Sequence, residues 1–290
     1  MRRLALALAS TALTLGALEG VGRTLPQAPE RPPFMQPDAE LGWSLRPNAR
    51  MHLGVLVQTN GLGLRGPEPS GGPAVAAFGD SSVFGHGVRD DEGFVGRLRR
   101  DLDREVLNGG VPGYQCSQAR GAYDRLAEHA DIELAVLYVM HSDGFQFHEQ
   151  DLAWASAMPD ELRTTGLGRL LAWGGSLKLA RTGARRTSIE DYRACLTDFV
   201  RQVPSLLVIP MARVDVDPEH RTAYLEPYRE AMREVAEATD TPLADTAAAA
   251  RADGSVHLLM DEVHPSPEGH ALVAEVVLQA IDEAGLLDGE

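Results

Sequence analysis

An alternation of short apolar runs with helix-periodic segments constrains this sequence most, and it extends from residue 74 to near the C-terminus. Five runs are typical of buried strands: Ala74–Phe78, Glu105–Asn108, Leu134–Met140, Leu206–Pro210 and Pro242–Ala244. Between them, apolar residues recur at helical spacing, as at Phe94, Val95 and Leu98. Because helices that join parallel strands cover both faces of their sheet, this pattern predicts an α/β fold. We expect a three-layer α/β/α sandwich with a mostly parallel five-stranded sheet, and functional residues beyond the carboxyl ends of its strands.

The first 73 residues follow a different pattern. Residues 24–40 hold five prolines among polar residues, which disfavours helix and sheet and predicts an extended linker. Two short extended pieces follow, around Arg50–Thr59 and Leu62–Arg65, separated by a tight-turn pair, Asn60-Gly61. We therefore expect a hairpin extension at 41–73 ahead of a main domain at 74–290.

The chain begins with Met, two Arg residues and an apolar run from Leu4 to Leu18. A positive start followed by a short apolar stretch is typical of a secretory signal. The run is shorter than the roughly 20 residues that a membrane-spanning helix needs. Residues 1–23 are predicted to be a signal peptide or, if uncleaved, an N-terminal anchor that associates with a membrane. Both alternatives place the protein outside the cytoplasm, as a periplasmic, secreted or membrane-anchored protein.

An excess of acidic side chains argues against one class of partner. The chain has a formal net charge of −15 and a pI near 5.0. Nucleic-acid-binding proteins usually concentrate Lys and Arg so that they displace phosphate counterions, whereas this charge would repel a polyanion. We expect no nucleic-acid partner.

The stretch around 145–189 interrupts the regular alternation. It contains two tryptophans and several arginines: Trp154, Trp173, Arg163, Arg169, Arg181, Arg185 and Arg186. It is long for a connection between strands, which indicates an inserted helical cap. The sequence leaves open whether this cap covers a site as a lid or is only a surface elaboration.

A serine, Ser81, follows the first strand of the main domain at the expected start of a helix. At that place its hydroxyl would be exposed at the sheet edge, and its N–H would have no partner within the helix. Such an arrangement suits the stabilisation of a negative charge. On position alone, a serine here is more often an ordinary helix N-cap.

Near the other end of the chain, Asp261 precedes His264 by three residues. One tight turn would bring the carboxylate to one ring nitrogen and leave the other free to take a proton from a serine. Alone, the pair is also consistent with a turn-capping Asp and a surface His. Together with Ser81, it suggests a catalytic triad.

The motifs around these residues resemble those of the GDSL-like or SGNH hydrolase family. That family has Gly-Asp-Ser at its nucleophile, here residues 79–81, and an Asp-x-x-His pair at its end, here residues 261–264. Its second block has the form Asn-x-Gly-Val-Pro-Gly-Tyr, which residues 108–114 match. The resemblance covers most of residues 74–280. Residues 37–66 are similar to the N-terminal extension of an exported branch of the family.

This resemblance implies a flavodoxin-like SGNH hydrolase fold and assigns roles to several residues. Ser81 would be the nucleophile, His264 the base and Asp261 the group that orients the base. The N–H groups of Ser81 and Gly113 would bind the oxyanion, and Asp80 would support the nucleophile.

The block after the third strand departs from the family. The family has Gly-x-Asn-Asp, in which the Asn side chain is a further oxyanion donor, whereas this chain has Met140-His141-Ser142-Asp143. A Ser142 hydroxyl is a shorter, single donor and could replace the Asn only if the backbone comes closer or a water intervenes. His141 is the nearest alternative donor. Asp143 is expected to support the loops around the nucleophile as an acceptor.

The resemblance implies a carboxylic-ester hydrolase that forms an acyl-serine intermediate. We expect a small-molecule or glycan ester as the substrate, with a small acyl group such as acetyl. Two alternatives stay open. One is a polysaccharide O-acyltransferase, and the other is a non-catalytic envelope glycan-binding protein with the same fold.

This chemistry needs no cofactor and no metal. His86, His141 and His148 lie near the expected site, but their spacing fits no pattern of metal ligands. His270, on the last predicted helix, is expected at the surface or behind the site residues.

The two cysteines, Cys116 and Cys195, allow two interpretations. They could form a disulfide outside the cytoplasm, or they could remain free as partly buried thiols. Their separation in sequence does not establish their distance in space, and free thiols are the favoured interpretation.

Overall fold

The computed structural model describes residues 2–25, 32–145, 164–171, 185–217, 219 and 225–287. The chain divides into two units. The first comprises Met1–Ser44 and Gln146–Ala184, and the second comprises Leu45–Phe145 and Arg185–Glu290.

The first unit contains helix α1 (Arg2–Arg23), strand β1 (Met35–Asp38) and a helical segment at 166–171. It also contains strand β2 (Gly42–Leu45) except for its last residue, and β2 pairs with β1. Strand β1 lies inside the segment predicted to be an extended linker. The apolar side chains of Phe34 and Met35 are buried there, which explains why the end of this proline-rich segment joins a sheet.

The N-terminal segment and the predicted cap are two parts of the chain for which the sequence left alternatives open. None of the helices among the described residues combines the length and apolar character that crossing a bilayer requires. Most of the predicted cap, at 146–163 and 172–184, lies outside the described residues.

The second unit is built on a five-stranded parallel sheet. Its strands are β5 (Pro73–Gly79), β6 (Glu105–Gly110), β7 (Asp131–Tyr138), β8 (Ser205–Ile209) and β9 (Leu243–Asp245). They lie in the order β6-β5-β7-β8-β9, and all neighbours are parallel. Each of the five predicted apolar runs overlaps one of these strands. The predicted α/β class and five-stranded sheet are confirmed.

Helices cover both faces of this sheet, and one-turn helices follow several strands. The longer helices are α3 (Phe94–Asp101), α4 (Cys116–Leu126), α6 (Ile189–Gln202), α8 (Glu226–Thr239), α9 (Thr246–Asp253) and α10 (Pro267–Glu283). The one-turn helices are α2 (Ser81–Phe84) after β5, α5 (His141–Gly144) after β7 and α7 (Arg213–Val216) after β8, and a 3-10 turn spans Val256–Leu258.

Alternate residues of strand β5, which lies between β6 and β7, belong to different cores. Val75 and Ala77 pack with the apolar residues of α3 and α10, whereas Ala76 and Phe78 pack with those of α4, α6 and α8. Because side chains point alternately to the two faces of a strand, β5 separates two buried layers, which is why its sequence is continuously apolar.

A hairpin forms within the first of the two predicted extended pieces. Strands β3 (Arg50–Leu53) and β4 (Val55–Gln58) are antiparallel and turn at Gly54, whose φ of +75° lies in the left-handed region. The predicted turn residue Asn60 instead closes the next loop: its side-chain oxygen accepts the N–H groups of Leu62 and Leu64. The Asn60-Gly61 pair therefore lies between Thr59 and Arg65, which form an isolated antiparallel bridge, and not between β3 and β4.

Cys116 and Cys195 form a disulfide, contrary to the favoured interpretation of free thiols. Cys116 begins α4 and Cys195 lies within α6, and these helices pack on the same face of the sheet. That packing brings their Cα atoms to 6.3 Å, within the range that a disulfide spans.

Candidate active site

Ser81 lies where β5 passes into the one-turn helix α2. The Asp80 side chain caps this helix by accepting the Ser82 N–H at 3.0 Å. Gly79 permits a close approach to the neighbouring strand, since a Cβ at this residue would lie 2.1 Å from the Tyr138 carbonyl oxygen. The half-buried Ser81 is therefore held at the carboxyl end of the strand that precedes it, where the sequence predicts it.

His264 and Asp261 extend a chain of hydrogen bonds that begins at Ser81. Ser81 Oγ lies 2.8 Å from His264 Nε2, and His264 Nδ1 lies 2.6 Å from Asp261 Oδ2. A carboxylate only accepts hydrogen bonds, so Nδ1 carries the proton of the neutral ring. Nε2 then has a lone pair that accepts the Ser81 hydroxyl proton. The structure brings these three residues together.

Hydrogen bonds keep Asp261 ionised. Partial burial raises the pKa of its carboxyl, but the His264 ring and the N–H groups of Val263 and His264 donate to it. These donors outweigh burial and hold the pKa of Asp261 well below its ordinary value. A carboxylate in this position would stabilise an imidazolium at His264, so the arrangement is suited to proton uptake by that ring.

Arg213 ties the loop around His264 to the segment after β8. Its N–H donates to the Glu262 carbonyl at 2.8 Å, and its guanidinium donates to the carbonyls of Val256 and Leu259. These contacts hold the loop at several points along its length. Nothing in the spacing of the sequence marks Arg213 for this role, because its partners are all backbone carbonyls.

Ser81 and Gly113 each offer a backbone N–H that has no acceptor among the described residues. The Ser81 N–H is one of the unpartnered donors at a helix start. Gly113 has a φ of +84°, which favours glycine. Asn108 joins the two segments, since its side-chain amide donates to the Val83 carbonyl and its oxygen accepts the Gly110 N–H, both at 3.0 Å.

The Ser142 hydroxyl donates to Asp80. Its Oγ lies 3.1 Å from Asp80 Oδ2, and the residue is only 3% exposed. Because a hydroxyl has one proton, Ser142 cannot donate to an oxyanion in this arrangement. The geometry therefore does not support Ser142 as the replacement for the family's Asn. Its short side chain instead links α5 to the carboxylate that caps the nucleophile helix.

Asp143 is fully buried and acts as an acceptor, the supporting role expected for it. Its carboxylate accepts the Cys116 N–H at 3.1 Å and the Thr187 hydroxyl at 2.8 Å. Burial raises the pKa of Asp143 to about 7, although these hydrogen bonds lower it. Asp143 thus joins the start of α4 to the chain that follows the insertion.

His141 is not placed to supply the missing donor. It is 1% exposed, and neither ring nitrogen reaches solvent or has a hydrogen-bond partner among the described residues. Burial lowers its pKa to about 4, so the ring is neutral at pH 7. The ring lies edge-on to Tyr138, with centroids 6.2 Å apart, which indicates a packing role.

His86 lies directly beside the base. Its ring centroid is 4.5 Å from that of His264, within stacking distance. Partial burial and the adjacent His264 lower the pKa of His86. The neutral His86 ring therefore lies against the His264 ring, which would become charged on taking a proton from Ser81. The sequence did not predict this contact.

Arg65, from the N-terminal extension, holds the loop that carries His86. Its buried guanidinium donates to the carbonyls of Phe84, Gly85 and Val88 at 2.8, 2.5 and 2.6 Å, and it lies over the Phe84 ring. Arg65 therefore packs against the loop that follows Ser81.

The segment at 185–188, which follows the insertion, runs beside Gly113. Arg186 Nη1 donates to the Gly113 carbonyl at 3.3 Å, and the Arg186 N–H donates to the Phe145 carbonyl at 2.9 Å. The sequence placed Arg186 in the cap. Only the folded chain brings it to Gly113, since they lie on different loops far apart in sequence.

His270 is fully buried on α10, so the surface position is wrong for it. Its Nδ1 accepts the Phe94 N–H at the start of α3, and burial lowers its pKa to about 3. Within the described part of the chain, no group of three or more His, Cys, Asp or Glu is arranged to hold a metal ion. His148 lies outside that part.

Comparisons with known proteins agree with this geometry. The sequence profile of the GDSL-like lipase/acylhydrolase family matches residues 77–272. No curated protein matches the sequence. Similar solved structures include the acetyl xylan esterase AlAXEase, which is 18% identical, with a TM-score of 0.50 over 72% of this chain and 99% of that one. Another is a lipase/acylhydrolase from Enterococcus faecalis, also 18% identical, with a TM-score of 0.52 over 73% of this chain and 96% of that one.

At these identities the solved structures establish a shared fold, whereas the profile covers well over half of the chain. The chain belongs to the GDSL-like lipase/acylhydrolase (SGNH) family of ester-cleaving hydrolases.

Proposed function

We propose that this protein is a serine esterase that removes a small acyl group, such as acetyl, from a glycan or a small-molecule ester. The observation that carries the proposal is the unbroken hydrogen-bond chain from Ser81 through His264 to Asp261. It supplies a nucleophile, a base within proton-transfer distance and a carboxylate that fixes the tautomer of the base.

The reaction proceeds in two halves. Ser81 Oγ attacks the ester carbonyl carbon while His264 Nε2 takes the hydroxyl proton, and the carbonyl electron pair moves to oxygen. The N–H groups of Ser81 and Gly113 bind this oxyanion. When the intermediate collapses, the carbon–oxygen bond to the alcohol breaks, and His264 gives its proton to the leaving oxygen.

Water then completes the cycle. His264 removes a proton from water as it attacks the acyl-serine carbonyl, and a second tetrahedral intermediate forms in the same oxyanion site. Its collapse breaks the bond to Ser81 Oγ, which recovers the proton from His264 and releases a carboxylic acid.

Acetylated glycans are the first substrates to test. One similar solved structure is an acetyl xylan esterase, which supports a small acyl group on a sugar. An extracytoplasmic location is proposed with it. The Cys116–Cys195 disulfide supports that location, because disulfides persist mainly in oxidising compartments.

A serine-directed fluorophosphonate tests the nucleophile. Wild-type protein should be labelled, Ser81→Ala should not, and Ser82→Ala, which removes the adjacent hydroxyl, should be labelled like wild type. Activity on p-nitrophenyl esters of two to eight carbons should be greatest for the acetyl ester and fall at least about 10³-fold in Ser81→Ala. Labelling that persists in Ser81→Ala would contradict the assignment.

Acetylated xylan distinguishes hydrolysis from transfer. An esterase releases free acetate at the rate at which it deacetylates the polymer, whether or not a second sugar is present. If acetate instead appears on an added acceptor sugar, the enzyme is an acyltransferase. A wild-type protein that is neither labelled nor active would favour a glycan-binding function.

A further inference from the structure

The oxyanion site of this chain lacks the side-chain donor of its family. Ser142 stands in place of the family's Asn and gives its proton to Asp80. His141 is sealed from solvent at both ring nitrogens. Stabilisation of the oxyanion therefore depends on the N–H groups of Ser81 and Gly113.

These two N–H groups are not equally fixed. The Ser81 N–H begins a capped helix, whereas Gly113 lies in a loop with a φ of +84°. A glycine rotates about its backbone bonds more freely than any other residue. The direction of the Gly113 N–H therefore depends on what holds the peptide groups on either side of it.

Two hydrogen bonds hold the peptide group that follows Gly113. Its N–H, which belongs to Tyr114, donates to the Val111 carbonyl at 3.0 Å, and its carbonyl, which belongs to Gly113, accepts from Nη1 of the Arg186 guanidinium at 3.3 Å. This carbonyl and the Gly113 N–H are joined through a single Cα, so fixing the carbonyl restricts rotation of the whole residue.

Arg186 is itself anchored by the main chain around it. Its N–H donates to the Phe145 carbonyl, and the next N–H, of Thr187, donates to the Asp143 carbonyl. The Thr187 hydroxyl also donates to the Asp143 carboxylate, and the Tyr228 hydroxyl donates to the Thr187 carbonyl. The half-buried Arg186 thus projects from a segment that hydrogen bonds attach to residues 143–145 on one side and to Tyr228 on the other.

The position of Arg186 also places a positive charge close to the oxyanion site. The nitrogen and the carbonyl oxygen of one residue are about 3 Å apart, so Nη1 lies within about 7 Å of the Gly113 nitrogen. At that separation in a partly buried site, a full charge interacts with a developing negative charge more strongly than it would in bulk water.

We propose that Arg186 is a positioning residue for catalysis. It fixes the Gly113 N–H through the Gly113 carbonyl and adds a positive charge near the oxyanion, which compensates for the donor absent at Ser142. This inference rests on the proposed esterase function and assigns a catalytic purpose to the segment that returns from the insertion.

Substitution of the two neighbouring arginines tests the proposal on the full-length enzyme. Arg186→Ala should lower kcat for p-nitrophenyl acetate about 10- to 30-fold and change KM less than about 3-fold. The reason is that the contact stabilises the transition state more than it stabilises the bound substrate. Arg186→Lys should recover about a third or more of the lost kcat. Arg185→Ala, whose guanidinium donates to the Gly144 carbonyl, is the matched control and should keep kcat within about 2-fold of wild type.

An inhibitor that forms a tetrahedral adduct adds a readout that a purely structural role would not change. The affinity of an alkyl boronic acid should fall in Arg186→Ala by about the same factor as kcat, while the melting temperature stays close to that of Arg185→Ala. Equal kcat values for the two alanine variants, an effect on KM alone, or no recovery with lysine would overturn the proposal. If wild-type protein is inactive and unlabelled by the fluorophosphonate, the esterase function itself fails, which is a different result.

Discussion

At the scale of single residues, Met140 occupies a backbone conformation that side chains with a Cβ rarely adopt. Its φ is +157° and its ψ is −48°, at the junction between β7 and α5. The family has a glycine in this position. Such strain commonly costs about 1–3 kcal/mol. The Met140 side chain is 1% exposed in the core, and its burial offsets the strain.

We predict that glycine is more stable than alanine at position 140. Both Met140→Ala and Met140→Gly lose the buried side chain, but only glycine relieves the backbone. Met140→Gly should therefore unfold with a free energy about 1 kcal/mol higher than Met140→Ala in urea. At the adjacent Val139, where φ is not positive, alanine should be the more stable of the same pair of substitutions. If alanine is more stable than glycine at position 140 as well as at position 139, the backbone at Met140 is not strained.

The residues of the proposed triad could be selected from sequence because each lies in a short motif whose spacing is itself the signal. Ser81 follows an apolar strand, and Asp261 is one turn from His264. Arg186 and Arg213 could not be predicted in this way. They act through backbone carbonyls, which every residue possesses, so their partners leave no trace in the sequence.

At the scale of elements, the N-terminal extension is attached to the nucleophile loop by one buried side chain. Arg65 follows the β3–β4 hairpin, and three carbonyls after Ser81 accept its hydrogen bonds. It is 2% exposed. Its loss would remove the hydrogen bonds that its guanidinium gives these carbonyls and open a cavity beside Phe84.

Arg65→Ala should lower the free energy of unfolding by about 3 kcal/mol, because three hydrogen bonds from a buried guanidinium and its packing against Phe84 are lost. Arg65→Lys should recover less than half of that loss, since one ammonium cannot reproduce the planar fork of a guanidinium. Arg89→Ala removes an arginine from the same region whose side chain is 60% exposed, and it should change stability by less than about 0.5 kcal/mol. Urea unfolding of the three variants measures these differences. An Arg65→Ala loss no larger than the Arg89→Ala loss would contradict the role assigned to Arg65.

The strands of the central sheet were predictable and those of the extension were only partly so. Five continuous apolar runs mark strands that are buried on both faces. The short strands β1 and β3 carry proline or charge and pair with one neighbour each, so their sequences contain little periodicity. Each pairs with the strand that follows it in sequence, so the turn between the two strands, rather than an apolar repeat, marks its position.

At the scale of the whole molecule, buried ionisable groups make stability depend on pH. The folded pKa values of His141 and His270, about 4 and about 3, lie below the ordinary value of 6.5. As the pH falls below 6.5, the unfolded chain binds protons at these histidines and the folded chain does not. Their contribution to stability is therefore full above pH 6.5 and is lost on acidification.

Asp143 acts in the opposite direction. Its folded pKa of about 7 lies above the ordinary 3.8, so the folded chain binds the extra proton between these values. Its contribution is full below pH 3.8 and is lost as the pH rises through 7. When the pH falls from 6.5 towards 4, His141 and His270 lower the free energy of unfolding and Asp143 raises it. Because two groups act against one, the net contribution of these three residues lowers stability.

Replacement of His270 by Gln isolates one of these contributions. Gln keeps an acceptor for the Phe94 N–H but does not titrate. Between pH 7.5 and pH 5, the variant should lose about 2 kcal/mol less of its free energy of unfolding than wild type. Urea unfolding at the two pH values measures the loss, and His129→Gln, which removes an exposed histidine, is the control. An equal loss in wild type and His270→Gln would show that His270 is not kept neutral by folding.

The bond between Cys116 and Cys195 closes a covalent ring within the chain, with a sequence separation of 79 residues. The ring contains β7, α5 and the entire insertion, while Ser81 lies before it and His264 after it. A protease that cuts the insertion therefore nicks the ring without dividing the protein. The fragment with the nucleophile stays linked to the fragment with the base until a reducing agent separates them.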